Sequence, residues 1–373
     1  MVKLGKVTVI YTGTGFPKEL QGCKEGKYPF YKVGDISKNV LAGYKKLMLC
    51  DNYIEEGAVK KIKGKILPKD TVVFAKIGEA VKLNRRAITT KECLVDNNVM
   101  GIAPVKSFMD INYLYYYMSF VKLENLAEAT TVPSVKKGMI EDLEIDLPTL
   151  DTQRIISNII SEVDDLILLI NKQLDDLNVI VKSRFIEMFG TFPDNPKGWE
   201  CCTIRDIVKE VRYGSSRPAV EGGQYPYLRM NNITYEGTLD LSEIKYIDVP
   251  EKELEKCTVR KGDVLFNRTN SKELVGKTCL YDRDESMVLA GFIIRVRVND
   301  KVVPEFLVAF LNMDFSKKML FNKCKAAIGQ ANINAQELQN IEIYLPHLAL
   351  QKEFVSLKYQ VDKSKFVITA KFQ

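Results

Sequence analysis

Several features typical of catalytic or membrane proteins are missing from this sequence of 373 residues. It has a single histidine, His347, which makes histidine-based catalysis and a multi-histidine metal site implausible, so we expect this side chain to be structural. No apolar run approaches the ~20 residues that cross a bilayer. The N-terminal segment "MVKLGKVTVI" does not have the pattern of a signal peptide either. We therefore predict a protein without membrane contact.

The eight cysteines do not have the spacing of a zinc motif. None of them belongs to a CxxC pair, and the sequence carries no secretion signal that would favour disulfides. We interpret them as reduced thiols of a cytoplasmic protein and predict no metal site. They are Cys23, Cys50, Cys93, Cys201, Cys202, Cys257, Cys279 and Cys324.

Motifs of cofactor and nuclease chemistry are also missing. The segment "YTGTGFP" contains glycines but not the GxGxxG spacing, so a turn is favoured, and there is neither a Walker loop nor an Asn/Asp-Pro-Pro-aromatic tetrapeptide. "VPEKELEKC", from Val249, offers the carboxylates that a magnesium nuclease needs. A solvated helical face is the better interpretation of it. We predict no catalytic residue and no cofactor bound by this chain.

Size and charge leave the function open. The chain is too long for one ordinary core, and at ~100–200 residues per domain it should form two or three. Its net charge of +6 is uneven, since residues 1–145 carry 23 basic and 16 acidic residues whereas residues 146–190 carry 4 and 8. A modest positive excess is compatible with a polyanionic partner but does not identify one.

An internal repeat runs the whole length of the chain. "DLPTLDTQ" ends at Gln153 and "YLPHLALQ" at Gln351. In the same order, "KYPFYKVGDI" matches "QYPYLRMNNI", "LPKDTVVFAKIG" matches "VRKGDVLFNRTN", and "FMDINYLYYYM" matches "VVPEFLVAFLN". Each half consists of short β-rich runs with one or two short helices before its end. We predict two similar α+β globules with mixed or antiparallel sheets, each followed by a Leu-Pro hinge into a helix.

The two helices after the hinges have the apolar spacing of a coiled coil. The first should run from Leu150 to Phe189, ~60 Å at 1.5 Å per residue, and end at Gly190. We expect the second helix to pair with it antiparallel, the alternative being that each helix packs on its own globule. The seam positions are Ile156, Ile160, Val163, Ile167, Ile170, Leu174, Leu177, Val181, Leu350, Phe354, Leu357 and Val361.

Two globules alternating with two helices that begin after Leu-Pro resemble the specificity subunit of a Type I restriction-modification enzyme. The segments "GDVLFNRTNSKELVGKT", "VPSVKKGMIEDLEIDLPTLDTQ" and "IEMFGTFPDNPKGW" carry the likeness, which covers essentially the whole chain. The resemblance implies target-recognition domains at residues 1–147 and 191–345, a central coiled-coil spacer at 148–190 and a C-terminal helix at 346–373. It also implies a pseudo-twofold repeat. The second helix is shorter than the family's usual one.

The resemblance further implies the partners. Each globule would read one half of a bipartite double-stranded DNA target, and the helices would set the spacing and dock modification subunits, which in turn bind restriction subunits. S-adenosylmethionine, ATP and magnesium would be held only by those partners. Because the short second helix leaves part of the first uncovered, self-association is also expected. The competing interpretation is a coiled-coil scaffold that binds proteins and has no DNA specificity.

DNA contacts are expected where donors project from loops between strands, since arginine and lysine bind phosphates or guanine while asparagine and glutamine pair with adenine. The candidates lie in "NRTNSKELVGK", "GSSRP" and "GQANIN" and at roughly equivalent places in the first half. They are Thr14, Lys76, Lys82, Arg85, Arg86, Ser215, Ser216, Arg217, Arg268, Asn270, Ser271, Lys272, Gln330 and Asn332.

Overall fold

A computed structural model describes residues 1–127, 132–327 and 330–370, without the side chains of 325–327. The last three residues of the predicted C-terminal helical segment therefore lie outside the described residues. The chain forms two compact units, Met1–Leu169 and Ile170–Gln373. Within the described ranges, no helix is long and apolar enough to cross a membrane.

Among its described residues, the first unit contains one four-stranded sheet, one three-stranded sheet and one separate pair of strands. Its strands are β1 Val2–Lys3, β2 Thr8–Thr12, β3 Tyr28–Tyr31, β4 Tyr53–Ile54, β5 Val72–Ala75, β6 Arg86–Ile88, β7 Leu94–Val95, β8 Val99–Pro104 and β9 Glu144–Ile145. One sheet is antiparallel with the order β2-β8-β5-β6, and the other has the order β4-β3-β7 with β3 and β7 parallel. Strands β1 and β9 pair separately and bring the two ends of the globule together.

Helices α1 Val33–Leu41, α2 Glu56–Lys61, α3 Ile111–Phe120 and α4 Lys137–Glu141 contribute buried side chains to the core of the first unit. The long helix α5 Leu150–Phe189 follows them and continues into the second unit. Asp110 caps α3 by accepting from the backbone of Asn112 and Tyr113. Phe74 on β5 and Leu114 on α3 are fully buried in the same cluster. Helices α1 and α2 lie early in the unit, where the sequence pattern predicted none.

The second unit has the same plan with additional strands. Its strands are β10 Glu200–Thr203, β11 Val208–Tyr213, β12 Tyr225–Leu228, β13 Lys245–Ile247, β14 Thr258–Val259, β15 Val264–Asn267, β16 Thr269–Asn270, β17 Thr278–Leu280, β18 Met287–Leu289, β19 Ile293–Val298, β20 Lys325–Ala327, β21 Gln330–Asn332 and β22 Glu342–Leu345. The additional ones are β14, β16, β20 and β21. Its helices are α6 Glu251–Cys257, α7 Pro304–Asn312, α8 Asp314–Lys323, α9 Ala335–Gln339 and α10 Leu348–Ala370. The segment "VPEKELEKC" is thus helical, as predicted.

The sheet topology confirms the internal repeat. The order β11-β19-β15-β17 repeats β2-β8-β5-β6, and β13-β12-β18 repeats β4-β3-β7, including one parallel pair in each half. The pairing of β10 with β22 repeats that of β1 with β9. Both halves are α+β with mixed and antiparallel sheets, as the sequence predicts.

The long helix α5 is present with the predicted limits, 40 residues from Leu150 to Phe189. It ends at Gly190, whose φ of 86° is the left-handed conformation expected there. Two carbonyls at this end have side-chain donors, because Trp199 Nε1 donates to Phe189 and the Tyr344 hydroxyl donates to Gly190, both at 2.9 Å. The helix terminus is therefore fixed to the second globule.

Helix α10 runs alongside the last part of α5 in the second unit. The Phe185 and Phe354 rings meet edge to face at 5.2 Å, and Lys365 Nζ donates to Asn178 Oδ1 at 2.7 Å. The partner of Phe354 on α5 is Phe185, whereas the partner of Lys365, later on α10, is Asn178, earlier on α5. The two helices are therefore antiparallel over this stretch. In the first unit, Val163 and Ile167 of the predicted seam are about half exposed, at 48% and 51%.

The repeated glutamine joins the start of each long helix to its globule. Gln153 accepts from the backbone N–H of Asp110 and donates to the carbonyls of Phe108 and Pro148, all at 2.9 Å. Its side chain is completely buried. The repeated proline motif thus forms the turn into the helix and also joins the start of the helix to the globule by hydrogen bonds.

Gln351 makes the same three kinds of bond in the second unit. It accepts from Val303 N–H at 3.0 Å and donates to the carbonyls of Pro346 and Lys301 at 2.7 and 3.3 Å. It too is completely buried. The two copies of the motif therefore recur because each carries one amide that satisfies three backbone groups.

A charged network crosses the sheet of the second unit. Arg295, 1% exposed, donates to Glu210 at 2.6 Å, and Arg297 donates to Glu210 at 3.0 Å and to Asp263 at 2.8 Å. Burial favours the neutral form of Glu210, but the hydrogen bonds and charges of Arg212, Arg295 and Arg297 have a larger opposite effect. The pKa of Glu210 is therefore below its ordinary value. Glu210 therefore compensates a buried positive charge.

We predict that Gln351→Ala lowers the free energy of unfolding of the second unit by about 2–3 kcal/mol, because it removes the partner of one buried and two part-buried backbone groups. The single tryptophan, Trp199, lies in this unit, so urea unfolding followed by its fluorescence measures the effect. Gln360→Ala, an exposed change on the same helix, should stay within about 0.5 kcal/mol. Equal losses in the two variants would contradict the role assigned to Gln351.

We predict that Glu210→Gln destabilises the second unit by about 3 kcal/mol near neutral pH, since it leaves Arg295 buried without its carboxylate. Because the folded pKa of Glu210 is below its unfolded value, this stabilisation is present above the unfolded pKa and disappears as pH falls through the folded one. The wild-type and variant unfolding curves should therefore converge in acid. Glu221→Gln, at an exposed carboxylate, is the control and should change neither stability nor its pH dependence.

Candidate nucleic-acid interface

Strand pairing in the second unit brings two of the predicted segments together. In the small sheet β16-β21-β20, Thr269 pairs with Asn332 and Asn270 with Ala331. The "NRTN" and "GQANIN" segments, far apart in sequence, are therefore adjacent. Gln330 is exposed at the start of β21. The sheet thus presents the predicted amide side chains beside Arg268.

Arg268 is the most organised side chain of this cluster. Its Nη2 donates to Oδ1 of Asn332 at 3.1 Å, and its guanidinium carbon lies 4.9 Å from the centre of the Tyr213 ring. Its Nε is buried without a hydrogen-bond partner. The Tyr213 hydroxyl in turn accepts from Ala335 N–H at 2.8 Å. The arginine is thus held on one face by an aromatic ring and on one edge by an amide.

The third predicted segment, Ser215 to Arg217, begins two residues after Tyr213. The Tyr227 hydroxyl lies 3.1 and 3.0 Å from the carbonyls of Ser215 and Arg217 and fixes the loop, while Ser216 is exposed. Arg217 donates to both carboxylate oxygens of Glu253 at 3.2 and 3.0 Å. This contact holds the pKa of Glu253 below its ordinary value. Arg217 is at the surface but already paired.

The other predicted contacts of the "NRTNSKELVGK" loop come directly after Arg268 in the sequence. Asn270 Oδ1 accepts from Ser271 N–H at 2.9 Å, so that amide is partly committed to the turn. Lys272 is exposed, with Nζ 4.3 Å from the centre of the Phe321 ring. All three predicted segments of this half, around residues 215, 268 and 330, are therefore linked through Arg268 and its neighbours.

The backbone of Lys76 in the first unit makes the same hydrogen bonds as the backbone of Arg268 in the second. The N–H of Lys76 donates to the carbonyl of Asn98, and the carbonyl of Lys76 accepts from the N–H of Val135, each at 2.8 Å. Arg268 N–H likewise donates to Phe292 at 3.0 Å, and its carbonyl accepts from Ile333 N–H at 2.9 Å. The two positions are structurally equivalent, as the sequence alignment of the halves suggested.

The other predicted contacts of the first unit are more scattered. Thr14 accepts from Lys65 N–H at 3.1 Å, and Lys82 is exposed but forms an ion pair with Glu79 at 2.8 Å. Arg85 is half-buried. Sequence reasoning missed Lys65, an exposed residue whose Nζ donates to Thr12 Oγ1 at 3.0 Å, because its approach to Thr12 depends on the fold.

Arg86 is a correction to the sequence-based set. Only 3% exposed, it donates to the carbonyl and side chain of Asn84 and to the carbonyl of Val121. Burial lowers its pKa to about 10. Since its donors serve the interior, Arg86 is a structural residue and not a DNA contact in this conformation.

A further group of lysines was not predicted. Lys317 donates to the carbonyl of Gly276 at 2.9 Å and lies 5.6 Å from the Tyr235 ring centre. Burial, with the added charges of Lys182 and Lys277, lowers its pKa to about 8. Lys277 is itself buried and donates to Met230 at 3.0 Å. Both donors serve the protein backbone, so this group supports the loop.

Comparison with known proteins relates the whole chain to one family. The family model described as the Type I restriction modification DNA specificity domain matches residues 1–179 and again 196–371. The EcoKI specificity subunit of Escherichia coli K12 is 23% identical, over 94% of this chain and 79% of that protein. The MjaVIII specificity subunit of Methanocaldococcus jannaschii is 27% identical, over 73% of this chain and 68% of that protein.

Solved structures agree at the level of the fold. The S subunit of a Type I restriction-modification system from M. genitalium matches with a TM-score of 0.52 and 15% identity, over 99% of this chain and 90% of that chain. A chain from a structure of the type I R-M system matches with a TM-score of 0.57 and 18% identity, over 99% of this chain and 92% of that chain.

We predict that Glu253→Gln strengthens binding to duplex DNA a few-fold, because it releases Arg217 from an exposed ion pair and removes a negative charge. Glu255→Gln on the same helix removes the same charge but releases Arg260 instead, so it separates the two effects. Affinity measured at fixed salt should rise only for Glu253→Gln, and adding Arg217→Ala should abolish the gain. Equal gains in both single variants would assign the effect to net charge alone.

Proposed function

Because the chain belongs to the Type I restriction modification DNA specificity domain family, we propose that it is a sequence-specific DNA-recognition subunit of a Type I restriction-modification complex. Each globule reads one half of a bipartite target. The observation that carries this proposal is the repeated topology, which places the predicted contacts Lys76 and Arg268 at equivalent backbone positions in the two units.

The two halves of the target should differ in sequence. Where the second unit has Arg268, Tyr213 and Asn332, the first has Lys76, Thr12 and Ser134 at matching strand and bridge positions. Side chains with different lengths and donors select different base edges. An asymmetric target follows from this difference.

We assign the spacing and docking roles to the helices, with recognition domains at 1–147 and 191–345, a spacer at 148–190 and the C-terminal helix from 346. The contacts of Phe185 and Lys365 support an antiparallel coiled coil of α5 with α10. Leu166, Leu168 and Leu169 of α5 are exposed by about half or more. Modification subunits, and through them restriction subunits, would cover such positions, and self-association would cover them in the isolated chain.

Chemistry would reside in the partners. We propose that this subunit is not an enzyme, and that S-adenosylmethionine, ATP and magnesium bind only to the modification and restriction subunits. The eight free cysteines suit the reducing cytoplasm in which such a complex would meet DNA. A coiled-coil scaffold without DNA specificity is not supported, because the matching family model describes DNA specificity and covers both globules.

We predict that the affinity of the full chain for its target duplex falls steeply between 50 and 200 mM salt, as phosphate neutralisation requires. Lys76→Ala should reduce the slope of log affinity against log salt by about one unit. Lys352→Ala, at an exposed position on α10, is the matched control and should leave the slope unchanged. Weak DNA binding that does not depend on salt would favour the scaffold. A methylation map that loses one bipartite motif when the gene is deleted would identify the target.

A further inference from the structure

We propose that Arg268 reads a guanine in the half-site bound by the second unit, and that Tyr213 and Asn332 are positioning residues for it. This inference rests on the proposed function and names the base that one side chain selects. Arginine recognises guanine through two parallel N–H donors directed at O6 and N7 in the major groove. Arg268 can recognise guanine in this way if one edge of its guanidinium is free and the side chain is held rigidly.

Only one edge of this guanidinium can face a base. Nε is buried without a partner, so the edge formed by Nε and Nη2 is closed to DNA. One Nη2 hydrogen is donated to Asn332, and Nη1 has no hydrogen-bond partner among the described residues. In the proposed arrangement Asn332 takes the Nη2 hydrogen on the Nε side, so that the second Nη2 hydrogen and one on Nη1 form a parallel pair at the outer end of the fork. That pair matches the spacing of guanine O6 and N7.

Tyr213 fixes the plane of this fork. Its ring lies under the guanidinium at 4.9 Å, and its hydroxyl is anchored by Ala335 N–H, so the ring cannot turn away without losing a hydrogen bond. Holding the arginine before DNA arrives reduces the side-chain entropy lost on binding. A flexible arginine would bind phosphates as readily as bases.

Asn332 fixes the direction of the fork and is thereby less suited to reading adenine. Adenine recognition by asparagine uses Oδ1 to accept from N6 and Nδ2 to donate to N7. In this structure Oδ1 already accepts from Arg268. We therefore reassign Asn332 from a reader to a residue that acts through Arg268.

The first unit provides an internal comparison. Lys76 occupies the place of Arg268, but Thr12 and Ser134 replace the ring and the amide. Lysine has no planar fork, and neither Thr12 nor Ser134 carries an aromatic ring. The same backbone position should therefore contact phosphate in the first unit and a base in the second.

The test begins with selection of bound duplexes from a random library by the full chain, wild type and Arg268→Ala. One guanine should lose its preference in the variant while the other half-site is unchanged. On a duplex with 7-deazaguanine at that position, which lacks N7, the wild type should bind about 5- to 150-fold more weakly, and Arg268→Ala should show no further loss. Inosine, which keeps O6 and N7, should be tolerated.

The positioning residues are tested by the same readout. Tyr213→Thr and Asn332→Ser, the side chains of the first unit, should reduce guanine discrimination without altering urea unfolding, and Tyr213→Phe should retain more discrimination than Tyr213→Thr. A wild-type chain that selects no sequence would overturn the proposed function and this inference together. A chain that selects a bipartite target but keeps every guanine preference in Arg268→Ala, or is insensitive to 7-deazaguanine, would overturn this inference alone.

Discussion

The fold depends on a buried primary amide at the start of each long helix. Gln153 and Gln351 each accept one backbone N–H and donate to two carbonyls. An ionised glutamate could not donate, and an aliphatic side chain would leave three buried or part-buried backbone groups without this partner, at a total cost of about 2–3 kcal/mol. Because the three partners lie before α3 or α7 and in the Leu-Pro turn, one side chain joins each globule to the start of its helix.

The same backbone supports different reading surfaces in the two halves. A Cβ at Gly13 would lie 1.7 Å from the Asp96 carbonyl oxygen, and one at Gly214 would lie 2.3 Å from that of Leu289. Gly214 does not have a positive φ, so close approach of the backbone, and not a left-handed turn, requires glycine there. The chain segments behind the loops are thus constrained alike in both units. The side chains around these constrained segments can therefore differ between the two units. Two globules that recognise different half-sites need this combination of a shared backbone and different side chains.

The sequence predicted the repeat, the α+β class and the limits of α5, because these depend on local apolar spacing and on glycine and proline. It did not predict why the glutamine recurs, since its partners are 43 and 45 residues away for Gln153. The contact of Arg268 with Asn332 spans 64 residues and could not be predicted either. Arg86 was misassigned because only the strand register shows that its side chain enters the core.

Net charge was a poor guide to the interface for a physical reason. Residues 191–345 carry 22 basic and 22 acidic residues, yet this half has the most organised cationic cluster. Carboxylates such as Glu253 neutralise Arg217 in the free protein, which weakens attraction to any phosphate backbone. Arg268, in contrast, is held by a neutral ring and a neutral amide, so its charge is not cancelled. A reader that must distinguish one site among many gains from this arrangement, because lowering non-specific affinity while keeping an oriented donor pair increases the specificity ratio.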